Sequence, residues 1–150
     1  VRVVVVSQGL GADWLRRKRA EHGLNNLLLL GFQPFEQVPE VLATADILVA
    51  VLEPDAGVFS VPSKVLTYLC AERPLLLAVP PENLAARLVR QHDAGRVVAP
   101  TDAAAFVQNA RTLLDQPALR RKLARHARAY AERTFDLDAI TDAFEDILVR

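Results

Sequence analysis

The segment Ser60-Val61-Pro62-Ser63-Lys64-Val65-Leu66-Thr67-Tyr68 places two hydroxyls, a proline and a cation where a helix begins. The first turn of a helix presents unpartnered N–H groups and a partial positive charge. Ser60 and Ser63 add hydroxyls there, and Lys64 adds a full charge. That lysine opposes the helix dipole, a conflict that a bound diphosphate would remove. The same residues also read as a serine cap followed by a solvated lysine. Local chemistry leaves both readings open.

Two other segments could meet a ligand. Gly31-Phe32-Gln33-Pro34 is an extended stretch whose backbone groups suit the edge of a nucleobase, or else a turn with Phe32 in the core. Ser7-Gln8-Gly9-Leu10-Gly11 has two glycines ahead of a helix pattern, but lacks the third glycine of a dinucleotide fingerprint. It therefore reads first as a strand-to-helix turn. His22, His92 and His126 are widely spaced, with no partner at metal-ligand spacing. Cys70 reads as a small buried residue on the helix after Ser63. There is no P-loop and no nucleophile-elbow serine.

These segments need a frame to hold them. Short apolar runs fall at Val3–Val6, Leu27–Leu30, Ile47–Val51 and Leu75–Val79, with a weaker one at Arg96-Val97-Val98. They are continuous rather than alternating, as in strands buried on both faces of a parallel sheet. Helix-length segments lie between them: Asp13 to His22, stopped by Gly23, then Gln37 to Ala45, Pro62 to Ala71 and Glu82 to Gln91. Strand and helix in alternation predict an α/β fold with a doubly wound parallel sheet over residues 1–100. In such a sheet, ligands bind beyond the carboxyl ends of the strands, where all three segments fall.

Residues 101–150 read as a helical extension. Thr101 is placed to cap a helix running to about Leu114. Pro117 restarts the chain, and Leu119, Leu123, Ala127 and Tyr130 form one stripe. Asp136 caps a last helix whose Leu137, Ile140, Phe144 and Leu148 are expected inward. The arginines of residues 120–133 and the acids Asp138, Asp142, Glu145 and Asp146 read as neighbouring faces that neutralise one another.

Composition narrows the classes. Of 150 residues, 51% are apolar and 24% charged, so the chain can bury a core. Net charge is zero, which removes any global field for nucleic acid. A single cysteine excludes an internal disulfide and suits a reducing compartment. No apolar run reaches membrane-spanning length. Methionine is absent, position 1 included, so the sequence reads as a piece of a longer chain.

Val61-Pro62-Ser63-Lys64-Val65-Leu66-Thr67-Tyr68-Leu69-Cys70-Ala71-Glu72-Arg73-Pro74 resembles the "PSK…YLAAGRP" segment of retaining glycosyltransferases with the GT-B fold, closest to the colanic-acid-biosynthesis type. Three further segments follow in the family's order: Gly31-Phe32 through Ala45-Asp46, Ala94-Gly95 with Val98 and Asp102, and Arg128-Ala129-Tyr130-Ala131-Glu132 with Phe135. The resemblance covers nearly the whole chain. It implies that residues 1–150 are part of a C-terminal donor-binding domain whose N-terminal acceptor domain lies elsewhere. It implies a nucleoside-diphosphate sugar as substrate, a glycan or lipid-linked acceptor, no metal or other cofactor, and a cytoplasmic place compatible with the inner-membrane surface. Phe32, Gln33 and Pro34 would then lie by the nucleobase, and Ser60, Val61, Pro62, Ser63 and Lys64 by the diphosphate and sugar. Thr67 stands where the family commonly has a glutamate for the ribose hydroxyls, and Phe59 where it often has another. A hydrogen bond from Thr67 would be neutral rather than charge-assisted. Glu53 or Asp55 could supply the charge, and Glu72 replaces a favoured glycine. No residue is assigned as catalytic. Rival readings are a nucleotide-sugar epimerase of the same fold and a non-catalytic nucleotide- or partner-binding module. A bare sheet edge and apolar surface would let two copies associate as a homodimer.

Overall fold

The computed structural model describes residues 1–56 and 62–148. The chain divides into two compact units, Val1–Glu40 and Val41–Arg150. In the first, β1 (Val3–Val6), α1 (Leu10–Glu21) and β2 (Leu27–Leu30) follow in order, then a 3-10 turn at Phe35–Gln37. β1 and β2 pair in parallel, Val3 with Leu27 through Val6 with Leu30. Gly9, with φ of 81°, makes the strand-to-helix turn in a conformation that side chains disfavour. Gly23 ends α1 in the left-handed region, with Leu24 N–H donating to the Arg19 carbonyl and Gly23 N–H to that of Ala20. The continuous valines do not make β1 buried: Val3 and Val4 are about half exposed, while Leu27 is buried.

α2 (Val38–Ala43) leads into the second unit. There β3 (Leu48–Val51), α3 (Ser63–Cys70), β4 (Leu75–Ala78), α4 (Leu84–Gln91) and β5 (Gly95–Val98) alternate. The strands form one parallel sheet in the order β3-β4-β5. Every residue of the central strand β4 is buried. Leu75 and Leu77 face one side and Leu76 the other, by the two-residue period of a strand. The first two join a core with Val65 and Leu69 of α3, Ala86 and Val89 of α4, and Ala127 and Ala131 farther along the chain. Leu76 joins Leu113 and Leu123 in a second core. The sheet of this unit is therefore covered on both faces, as its uninterrupted leucines require.

From Ala103 the chain is helical: α5 (Ala103–Asp115), α6 (Pro117–Thr134) and α7 (Leu137–Leu148). The cap of α5 is Asp102, not Thr101, because the Asp102 carboxylate accepts from Ala105 N–H at 2.9 Å. Asp136 caps α7 as expected, accepting from Ala139 N–H at 2.8 Å. The stripe on α6 forms, with Leu123 and Ala127 fully buried. On α7 the inward expectation fails. Leu137, Ile140, Phe144 and Leu148 are exposed, and no described residue of α7 is buried.

The charges also pair differently from expectation. Among the described residues, no ion pair joins α6 to α7. Three cations of α6 turn instead to the carboxyl ends of earlier helices. Arg120 donates to the carbonyls of Leu113 and Leu114 at the end of α5, at 2.7 and 2.6 Å. Lys122 reaches the Asp93 carboxylate, just past α4, at 2.8 Å. That hydrogen bond holds the Asp93 carboxyl below its usual range, against the opposing effect of burial. Arg128 donates to the Cys70 carbonyl, the last of α3, at 2.8 Å. Cations at helix carboxyl ends satisfy carbonyls and complement the dipole. This uses the basic face of α6 more directly than pairing with a following acidic helix.

The stop of α3 explains a departure noted in the sequence. Glu72 follows the helix with φ of 51°, in the region that glycine occupies without a Cβ penalty. Glu72→Gly is therefore expected to stabilise the chain by about 0.5–1 kcal/mol. A urea midpoint at or below that of the wild type would contradict this.

Candidate functional site

Val65 and Leu69, one turn apart, are the residues by which α3 sits on the core. That seat fixes where the other side chains go. Ser63 and Thr67 are also one turn apart and lie on the opposite, exposed face, with Lys64 exposed beside them. The structure thus brings Ser63, Lys64 and Thr67 together along one outer surface. Pro62 occupies the N-cap position, and its carbonyl accepts from Val65 N–H at 2.8 Å. Proline has no side-chain oxygen, so the N-cap residue itself gives the first turn no side-chain bond. The first turn carries no acid. Lys64 makes no ion pair with a described residue. Among the described residues, the result is a positive helix end with an exposed hydroxyl and an exposed ammonium group, a combination that suits an anion.

Tyr68 is half-buried, and burial pushes its phenol pKa up. Cys70 is exposed, contrary to expectation; its thiol donates to the Leu66 carbonyl at 3.5 Å. The reason is angular, since Leu69 takes the core position and Cys70 falls a hundred degrees round the helix. Glu53 and Asp55, in the segment after β3, are exposed in the same unit as Thr67. Ser60, Val61 and Phe59 lie outside the described residues.

The second group belongs to the first unit. Phe32 follows β2 and is 68% exposed, so it is not a core residue. The Gln33 side-chain amide donates to the Gly31 carbonyl at 2.9 Å, closing a small local ring. Pro34 is extended, with φ −52° and ψ 143°, and its carbonyl accepts from Gln37 N–H at 3.0 Å. Phe32, Gln33 and Pro34 therefore present a ring and backbone edge beyond the carboxyl end of β2.

Asn83 went unremarked in the sequence. It is fully buried after β4 and caps α4 by accepting from Ala85 N–H at 2.9 Å. An asparagine just ahead of an apolar periodic run was the available signal. A groove of about 320 Å³ lies between Leu84, Arg87, Leu88 and Gln91 on one wall and Tyr130 on the other. None of the described residues among the predicted site residues lines it. Among the described residues, no group of three or more His, Cys, Asp or Glu side chains could hold a metal ion. No described helix is long and apolar enough to cross a membrane.

The arrangement has counterparts among solved structures. HepE from Anabaena in complex with UDP is similar over 99% of this chain and 41% of its own, at 19% identity and a TM-score of 0.82. The UDP-glucose complex of the same protein matches over 91% and 36%, at 20% identity and a TM-score of 0.75. WaaG, a glycosyltransferase involved in lipopolysaccharide biosynthesis, matches over 97% and 37%, at 24% identity and a TM-score of 0.72. This chain thus spans about two fifths of the length of each. The fold is that of GT-B glycosyltransferases. Residues 1–116 match the family described as glycosyl transferases group 1, and the chain belongs to that family. No curated protein matches it.

Proposed function

We propose that this chain binds the nucleoside diphosphate of a sugar donor at the first turn of α3, as the donor-binding part of a glycosyltransferase. The observation that carries the proposal is the acid-free first turn with Ser63 and Lys64 exposed, in a chain of this family. Ser63 and the first-turn N–H groups bind phosphate oxygens, and Lys64 balances the charge that builds on the departing diphosphate. Thr67, on the same face, takes a ribose hydroxyl through a neutral hydrogen bond. Ser60 and Val61 complete the approach to the sugar. Phe32, Gln33 and Pro34 take the nucleobase through ring and backbone. HepE binds UDP and UDP-glucose, which makes uridine the base to test first. The reaction is hexosyl transfer to a glycan or lipid-linked acceptor in polysaccharide synthesis, of the colanic-acid type and with retention. The acceptor is bound by a domain outside this chain, and no metal takes part.

Lys64→Ala is expected to weaken UDP binding about tenfold in calorimetric titration at low salt, the scale of one charge-assisted contact. Equal affinity in the variant and the wild type would remove Lys64 from the site.

A further inference from the structure

The family-like segment Arg128 to Phe135 has no part in the donor site as proposed, yet its first residue touches the helix that carries that site. Arg128 stands on α6, and its Nη1 donates to the Cys70 carbonyl at 2.8 Å. Its Nε donates to Glu132 Oε1 at 2.7 Å, one turn along the same helix. Glu132 therefore fixes the direction in which the guanidinium points. Behind it, Ala127 and Ala131 share a core with Val65 and Leu69, so the two helices already lie against each other.

α3 has eight residues. Such a helix is about 12 Å long and too short to be stable without tertiary contacts. Val65 and Leu69 seat it on the core, with the half-buried Tyr68 packed against the same cluster. Its N-cap residue, Pro62, gives no side-chain cap. Its last carbonyl is held by Arg128, which also complements the negative end of the dipole. Because a helix this short moves as a rod, holding one end sets the position of the other. At the other end stand Ser63 and Lys64.

We infer that Arg128, oriented by Glu132, is a positioning residue for the donor site: by holding the last carbonyl of α3 it places the first turn that meets the diphosphate. The inference rests on the donor-site reading above. It predicts that a residue far from the phosphates controls donor affinity through helix placement.

The test uses this chain with UDP as probe, comparing Arg128→Ala, Arg128→Lys and Arg120→Ala with the wild type. Arg120 caps α5 in a similar way, its hydrogen bonds going to the carbonyls of Leu113 and Leu114. Arg128→Ala is expected to weaken UDP about fivefold and to speed amide exchange across α3 by a similar factor. Arg128→Lys, which keeps a cation on a long stem, restores most of both. Arg120→Ala lowers the melting temperature but leaves UDP affinity and α3 exchange near wild type. The inference is overturned if Arg128→Ala binds UDP as the wild type does, or if Arg120→Ala weakens it equally. If the wild type binds no UDP, the donor-site reading fails and the inference that rests on it fails too; if the wild type binds and Arg128→Ala binds equally, the inference alone fails.

Discussion

Gly95→Ala is expected to destabilise the second unit by about 3 kcal/mol or more. Gly95 opens β5 opposite Leu75 of β4. A Cβ built on it would stand 2.1 Å from the Leu75 carbonyl oxygen and 2.8 Å from the carbonyl carbon. Both are backbone atoms of a fully buried central strand, so no side chain can swing aside to make room. Relief requires β5 to move off β4, which breaks the pairing and opens the core around Ala94 and Val97. Gly11→Ala is the natural contrast, since nothing lies within 4 Å of a Cβ there and the residue is helical. Alanine at that position should stabilise by about 0.5–1 kcal/mol. Urea unfolding of the two variants checks both, and a Gly95→Ala midpoint within error of the wild type would refute the packing described.

The second large effect concerns the seat of α3. Leu69→Ala is expected to cost about 2–5 kcal/mol, the range for deleting a fully buried leucine side chain. Leu69 has 0% exposure and shares its core with Leu75, Leu77, Ala127 and Ala131. The small alanines of α6 cannot close over the cavity, because the backbone of a regular helix holds them back. Leu66, on the same helix, is 39% exposed, and Leu66→Ala should cost only about 1 kcal/mol. The pair separates burial from helix propensity, since both replace leucine by alanine within one helix. Comparable losses in the two variants would mean that α3 does not sit on Val65 and Leu69.

The five strands were legible because strands flanked by helices leave long apolar runs, and β4 is the clearest case. The same pattern misled on burial: Val3 and Val4 are as apolar as Leu76, yet exposed. Hydropathy reports what a residue tolerates, and topology decides whether anything covers it. α7 shows this again, since its stripe is plain in the sequence but none of its described residues is buried. Thr101 and Asp102 are both good caps, and only geometry chooses between them. The long-range caps of α6 were illegible for a different reason. Arg128 and Cys70 lie 58 positions apart, and nothing in either residue announces that one will hold the other's carbonyl.

For the site, residue types at a helix start were enough to single out Ser63 and Lys64. The structure adds that the Val65 and Leu69 seat turns both outward and aligns Thr67 with Ser63. Phe32 could have been core or ligand contact by local chemistry, and its exposure removes the first reading. Glu72 looked like an oddity of sequence and became intelligible once its positive φ was known.

The central claim is that α3 receives the diphosphate. Backbone amide NMR of the labelled chain, titrated with UDP and then with GDP and ADP, tests it most directly. Saturable shifts are predicted at Ser63 to Thr67, with further shifts at Phe32 and Gln33 for the preferred base. Saturable binding whose shifts cluster elsewhere, leaving the first turn of α3 unmoved, would contradict the account.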